Sequence, residues 1–542
     1  MATKYVDNRL TTGANDGSSL ANAFRSLFDA EVGTVGASDT VEVVAGSGPY
    51  YEATSVNATL RVYGTDISFN AAAKTITTAG AVSFTAYNTA GNIIRIQGSQ
   101  SNDGQYTVAS ATATVITLSS TNTLTTESAG NRIRVIDVTA TTNSANRTFA
   151  HDPGRNGTSA TSRLIWNFNN CEVSAGLDLG TARYRWNQSV GNSNEWYVTR
   201  ADGSNPSLNK PDSGVVAGYY MCASSGEPNA GHERGTVGAL AYDKQYGFGN
   251  NDSLGFNTVY VRSSTGSPTT LGWSLRFGQL YTCFNQVWGS HIFNKCRYSF
   301  GNGAADGNAS GGCVIARGLN QTWRKCVFMY ADGHGFEAAA NGPFVLEQCI
   351  GYWTGHRFFT QGNTAAITTT IIGCVDYSAH LFALMGASVG SGCIVKIFGC
   401  IGANNEAGAI DKKVGSAGTL IEGYNCWFPR MNAAGGALGY VSPTMWPYTA
   451  PTDLPANRAT TETSQATLFD PQFVALSDTD FDACDFSLKP SSPCRGRGMF
   501  FDPNRTEFTD YNDQSFTKVL NMGVAQDPED DRPVVSDDRR VA

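Results

Sequence analysis

Four ionisable side chains fall at nearly the same offset from successive cysteines between Lys295 and Pro429. Asp332 lies six residues after Cys326, His356 seven after Cys349, His380 six after Cys374 and Glu406 six after Cys400. His334, Glu337, Arg357, Asp411 and Lys412 flank them. If the cysteines mark equivalent points of a repeating strand unit, neighbours in this set stand one strand spacing apart, ~4.8 Å. A polar strip of that kind suits two chemistries. Glycoside hydrolysis needs two carboxyl groups ~5–10 Å apart, one as acid and one as nucleophile or base. Elimination from a uronic acid needs a base such as His, and a cation such as Arg to stabilise the carboxylate-derived anion; His356 beside Arg357 offers both. The candidate catalytic set is therefore Asp332, His356, Arg357, His380 and Glu406. Tyr352, Trp353 and Tyr377 are the candidate aromatic surfaces for sugar rings, whose C–H faces stack on them. Solvated turn residues produce the same pattern with no chemistry at all.

The elements that must position this strip are legible in the cysteines. Cys296, Cys326, Cys349, Cys374, Cys400 and Cys426 recur at intervals of 30, 23, 25, 26 and 26 residues, in the settings NKCRY, RKCVF, EQCIG, IGCVD, FGCIG and YNCWF. Trp323, Leu346, Ile371 and Ile397 come three residues before four of them, and Phe336, Phe359, Leu384 and Ile410 ten residues after four. A period in this range marks a solenoid whose units cover one another's apolar faces. Short β-branched and aromatic runs separated by Gly, Asn, Ser and Asp make the unit one of strands. About 25 residues suit one three-strand coil of a parallel β-helix, with the cysteines stacked inside it.

Composition agrees. Glycine is abundant at 59 residues and charged residues make up only 15%, a turn-rich β profile. A net charge of −8 with no basic stripe argues against nucleic-acid binding. Thirteen cysteines, odd in number and lacking CxxC pairs, argue against a disulfide framework and a zinc site. They are expected as buried free thiols, and no metal or cofactor is expected. HExxH and P-loop motifs are absent. MATKYVDNRL shows no basic n-region followed by an apolar h-region, and no apolar run approaches the length of a membrane span, so neither export by the usual signal nor membrane spanning is expected.

Taken in order, residues 1–60 read as an entry segment and first coil. Leu20, Ala23, Phe24, Leu27 and Phe28 have helical spacing and predict a short capping helix at about Leu20–Ala30. Residues 61–140 leave the repeat for alternating strands, with Asn102-Asp103-Gly104 as a hairpin signal, and read as an inserted small β-barrel or sandwich. Residues 141–182 return to the coil. An aromatic-rich β excursion occupies 183–270, where ordinary core packing is the favoured account of the aromatics. The main solenoid runs 271–429. A Pro- and Gly-rich loop (430–470), a closing segment and an acidic tail complete the chain to 542.

Three parts of the chain carry a resemblance. Tyr5 to Glu52 is similar to the opening of right-handed parallel β-helix proteins, and Asp470–Gly498 with Asn521–Gln526 is similar to their closing segment. Ser101–Val108 (SNDGQYTV) resembles a module of phage tail and other virion proteins. The resemblance implies an all-β, right-handed single-stranded parallel β-helix of the pectate-lyase-like, bacteriophage tailspike or virion type. It also implies a virion spike, made in a host cytoplasm and acting outside the cell. Such a spike would be a homo-oligomer, trimer favoured, carried by other virion proteins. It would bind a host-surface glycan, with or without depolymerase activity, and insert into no membrane. A polysaccharide lyase or glycoside hydrolase of the β-helix superfamily is the second expectation, and a purely architectural capsid or tail protein the third.

Overall fold

The computed structural model describes chiefly residues 2–50, 61–137, 163–200, 236–301, 312–378, 393–405, 419–429 and 471–495. Short gaps interrupt these ranges, and three two-residue strands lie outside them: Gly386–Ala387, Phe508–Thr509 and Ser515–Phe516. The described chain is essentially all-β, and its largest sheets include three that are wholly parallel. No described helix is long and apolar enough to cross a membrane.

A nine-stranded parallel sheet begins with Thr3–Val6, Thr40–Val43 and Leu164–Asn167, then takes His291–Asn294, Gln321–Arg324, Phe344–Glu347, Thr368–Ile372, Ile394–Phe398 and Thr419–Gly423. A seven-stranded parallel sheet takes Glu172–Ser174, Arg297–Ser299, Val327–Ala331, Ile350–Thr354, Val375–Tyr377, Ile401–Asn405 and Cys426–Pro429. A five-stranded parallel sheet takes Thr282–Val287, Gly312–Ala316, His334–Ala338, Arg357–Gln361 and Gly386–Ala387. From His291 to Ala387 the chain lays one strand on each sheet in turn. The register advances through Arg297, Val327, Ile350, Val375, Ile401 and Cys426.

One residue makes each corner between the first two sheets. Lys295, Lys325, Gln348, Gly373 and Gly399, each just before a cysteine, have φ of 52°, 54°, 54°, 57° and 63°. A single left-handed residue reverses the strand's heading and sends the next side chain inward. Cys296, Cys326, Cys349, Cys374 and Cys400 are accordingly buried free thiols. Cys171 extends the column downward, because its neighbour Glu172 pairs with Arg297. Trp323, Leu346, Ile371 and Ile397 also fall in one register column, as do Phe336 and Phe359. Leu384 and Ile410 lie outside the described residues.

Cys426 departs from the expectation. It pairs with Ile401, so Asn425 occupies the register position above Cys400, and Cys426 belongs to the opposite face with Val327, Ile350, Val375 and Ile401. A one-residue offset exchanges the two faces of a strand. Asn425 reproduces what the thiols do. The Cys374 N–H donates to Cys400 Sγ at 3.4 Å, and that sulfur contacts Ile371 O at 3.8 Å. In the next coil the Cys400 N–H donates to Asn425 Oδ1 at 2.9 Å, and Asn425 Nδ2 donates to Ile397 O at 3.0 Å.

The predicted capping helix does not begin at Leu20. A 3₁₀ turn spans Leu20–Asn22, capped by Ser19, and Leu20 is 59% exposed. Phe24 then makes a parallel bridge to Val6, so strand pairing claims that residue, and helical backbone appears only further on, at Leu27 and Ala30.

Residues Arg61–Asp137 contribute a seven-stranded antiparallel sheet with its own core, including Phe69, Ile76, Tyr87, Ile94, Ile116 and Val135. Strands Ile93–Gln97 and Gly104–Ala111 pair as a hairpin, but with a longer loop than the Asn-Asp-Gly signal specified. Asn102 ties that loop down instead: its side chain accepts from Thr125 N at 2.7 Å and donates to Glu127 Oε2 at 2.9 Å. Between 184 and 262 a four-stranded antiparallel sheet buries Trp186, Tyr246, Phe248 and Val259 in a core of its own. Core packing therefore accounts for these aromatics.

Residues 471–495 cover the outer face of the seven-stranded parallel sheet. Phe473, Phe481, Phe486, Leu488 and Cys494 pack on Val327, Ile350, Tyr352, Val375, Tyr377 and Ile401. Polar contacts pin this cover. The Tyr352 hydroxyl donates to Ser477 O at 2.7 Å, the Phe481 N–H donates to the Tyr330 hydroxyl at 3.2 Å, and Arg297 pairs with Asp482 at 2.7 Å. The loop expected at 430–470 and the acidic tail lie outside the described residues.

Candidate functional site

Of the expected catalytic strip, Asp332, His356, His380 and Glu406 lie outside the described residues, as do Asp411 and Lys412. Arg357 opens the third strand beyond Thr282–Val287 in the five-stranded sheet and pairs with His334, which in turn pairs with Gly312. His334 is buried.

The described residue on this sheet with the clearest chemical potential is Glu337. It sits in the strand His334–Ala338 between Ile315 and Thr360 on its two neighbours. Phe336 beside it points into the core, so strand alternation turns Glu337 outward. Its side chain is half-buried, and its Oε2 atom is enclosed by protein without a hydrogen-bond partner. Burial raises the carboxyl above the usual carboxylate range, and the Arg317 guanidinium partly opposes that. A desolvated acid with one cation near it, on the flank of a rigid sheet, is the arrangement that acid catalysis and carbohydrate recognition both use.

The expected aromatic platform requires correction. Tyr352 is 0% and Tyr377 5% exposed. Their rings stack at 6.1 Å, and Phe481 and Phe486 close over them edge-on at 5.4 and 6.1 Å. A sugar has no access to either face while that cover is in place. Trp353 is half-buried against the edge of the same cluster. Its φ of 51° repeats the left-handed corner of Phe300, Tyr330 and Ser378 at 60°, 54° and 59°. Bulky residues rarely adopt that conformation, which stores about 1–3 kcal/mol at each site. Tyr352→Phe is expected to cost about 1 kcal/mol of stability, the net worth of one hydrogen bond, while leaving polysaccharide retention unchanged. Chemical denaturation paired with a retention assay checks both; lost retention with unchanged stability would return Tyr352 to a binding role.

One acid was missed. Asp376 lies two residues after Cys374 and so shares its inward face. It pairs with Gly351 on one side and Gly402 on the other. The side chain is fully buried, both carboxyl oxygens lack a hydrogen-bond partner, and burial alone pushes its pKa well above the usual range. The signal that finds it is parity: in an alternating strand, position +2 from a core thiol is also core.

No group of three or more His, Cys, Asp or Glu able to hold a metal ion occurs among the described residues. Compared with known protein-family models and with curated proteins, the chain matches none.

Proposed function

We propose that the chain is a right-handed parallel β-helix that serves as a bacteriophage virion spike and binds a host-surface polysaccharide along the flank of the five-stranded sheet. The observation that carries the reading is the three-sheet circuit with Glu337 on its outer flank, half-buried and under the influence of Arg317. Long, rigid parallel sheets present side chains at a fixed ~4.8 Å repeat, a spacing suited to an extended polymer. The separate antiparallel sheet that contains most of Ser101–Val108 and the similarity of both chain ends to β-helix proteins support the virion assignment. In this reading the spike is a homotrimer held by other virion proteins. It is assembled in the host cytoplasm, works outside the cell, and engages neither nucleic acid nor membrane.

A second reading, a polysaccharide lyase or glycoside hydrolase, is favoured by the raised Glu337 carboxyl, which suits a proton donor. Incubation with capsular or O-antigen polysaccharides of candidate hosts separates the readings. Polymer retained and left intact supports a binding spike. Shortened polymer with unsaturated ends marks a lyase, and shortened polymer with reducing ends alone a hydrolase. A panel neither retained nor cleaved would sink both and leave an architectural role.

A further inference from the structure

Arg163 carries a half-buried charge that no acid among the described residues neutralises. It precedes the inward Leu164 and so turns outward on the nine-stranded sheet. Its guanidinium passes the neighbouring strand His291–Asn294 and reaches the one beyond, where Nη1 donates to Thr322 Oγ1 at 3.2 Å. Its Nε is enclosed by protein and has no partner. Burial, and after it the Arg324 charge, pull this guanidinium below its ordinary pKa, whereas Arg9, bonded to Asp7, moves the other way. A partly desolvated charge without an opposite one is costly, so an anion that reaches it is held strongly. Two more donors stand beside it. Thr322 accepts from Arg163 and so keeps its own hydroxyl proton to donate. Arg324 follows two residues later on the same outward face, about 7 Å along the strand. Its Nε donates to Glu347 Oε2 at 3.0 Å, and its Nη groups have no partner among the described residues. Glu347 thus offsets one of the two guanidinium charges, and one remains.

We propose that Arg163, Thr322 and Arg324 form a binding site for one phosphate or sulfate group on the outer face of the nine-stranded sheet. Two guanidinium forks and a hydroxyl directed at one point suit the several oxygens of a tetrahedral oxyanion better than the two of a carboxylate. The donors also come from both sides of a long excursion. Arg163 precedes the antiparallel sheet between 184 and 262, whereas Thr322 and Arg324 follow it. In the parallel sheet, Leu164–Asn167, His291–Asn294 and Gln321–Arg324 are successive strands. An ion held by all three side chains spans those strands and bolts the coil before the excursion to the coils after it. Because it binds the native arrangement alone, it stabilises the fold. The site is independent of the polysaccharide reading and lies on a different sheet from Glu337.

The test is equilibrium dialysis of the full chain against inorganic phosphate, with ionic strength held constant by chloride, alongside thermal melting in the same buffers. Saturable uptake is expected, with sulfate competing and the melting temperature rising along the same saturation curve. Phosphate and sulfate also raise melting temperatures by exclusion from protein surfaces, but that effect neither saturates nor depends on one side chain. Arg163→Gln is therefore expected to lose the saturable part of both readouts and to keep the rest. Thr322→Val preserves the branched shape at a buried position and is expected to weaken phosphate binding roughly tenfold, the worth of one hydrogen bond to a charged group. Phenyl phosphate separates the two sources of the ligand. Binding as tight as that of the inorganic ion means that the site takes a phosphate carried on a larger molecule, and its exclusion means that the free ion is the ligand. No saturable uptake by the unmodified chain, or uptake unchanged in Arg163→Gln, would overturn the proposal. If Arg163→Gln does not fold, Thr322→Val decides alone, and unaltered affinity there would overturn it.

Discussion

Asp376→Asn is expected to raise the melting temperature at neutral pH and to flatten its decline toward alkaline pH. The carboxyl occupies an interior register column that runs Tyr298, Phe328, Gly351, Asp376, Gly402. The two glycines beside it make room: a Cβ at Gly351 would fall 2.6 Å from the Phe358 ring and 2.8 Å from Asp376 Oδ1. Nothing donates to either carboxyl oxygen, so the group can remain in this core only as the neutral acid. The sign follows from linkage. In the unfolded chain the carboxyl titrates at its ordinary 3.8, and in the fold burial places it well above that. Below both values the two states bind the proton alike and no penalty exists. As pH rises past the lower value, the unfolded chain releases its proton and the native protein does not. Native stability then falls by about 1.4 kcal/mol per pH unit until the folded carboxyl itself ionises. Asparagine leaves an amide that is also under-bonded, but no proton is at stake. Thermal melts of both proteins from pH 4 to pH 9 should therefore diverge steadily as pH rises. Parallel curves would show that Asp376 finds a partner or water in solution.

The circuit could be read from the chain because its punctuation is local. Each cysteine of the column from Cys296 to Cys400 follows one left-handed residue, and a single sequence position is enough to betray the corner. The same local reading failed at Cys426, where YNCWF looks like its predecessors. Asparagine can both accept the Cys400 N–H and donate to Ile397 O, so it competes for the column. The interval between cysteines is blind to that exchange, since a shift of one residue is smaller than the spread of the repeat. Tyr352 and Tyr377 failed for a different reason. Local sequence gives no sign of a cover over them, because the side chains that bury them, Phe481 and Phe486, lie over a hundred residues later. Glu337 was visible only as a flanking acid, because its charge state depends on enclosure that no spacing records. Leu20 to Phe28 has helical spacing, yet Phe24 bridges Val6 at the edge of the parallel sheet, and helical backbone is found only at Leu27 and Ala30.

Cys374→Asp is expected to abolish the native fold under conditions in which Cys374→Asn retains it. The Cys374 sulfur accepts the Cys349 N–H at 3.4 Å, and it lies 3.6 Å from Leu346 O and 3.5 Å from Ile372 O. One side of the site thus offers a donor, and the other presents two carbonyls that require one. An ionised aspartate satisfies the first and is repelled by the second. An uncompensated charge in such a core destabilises by roughly 3–5 kcal/mol, a large share of the ~5–15 kcal/mol that holds a typical domain together. Protonation relieves it only at a linkage penalty like that of Asp376, two residues away on the same face. Asparagine meets both demands, as Asn425 already does one coil beyond Cys400. Its Oδ1 would take the Cys349 N–H and its Nδ2 the Leu346 carbonyl, so the expected cost is that of a slightly altered side-chain volume, about 1 kcal/mol. Circular dichroism and thermal melting of the two variants decide the matter. Equal, near-normal melting of both would mean that residue 374 does not face the interior, and equal collapse of both would mean that sulfur packing, rather than hydrogen-bond polarity, holds the column.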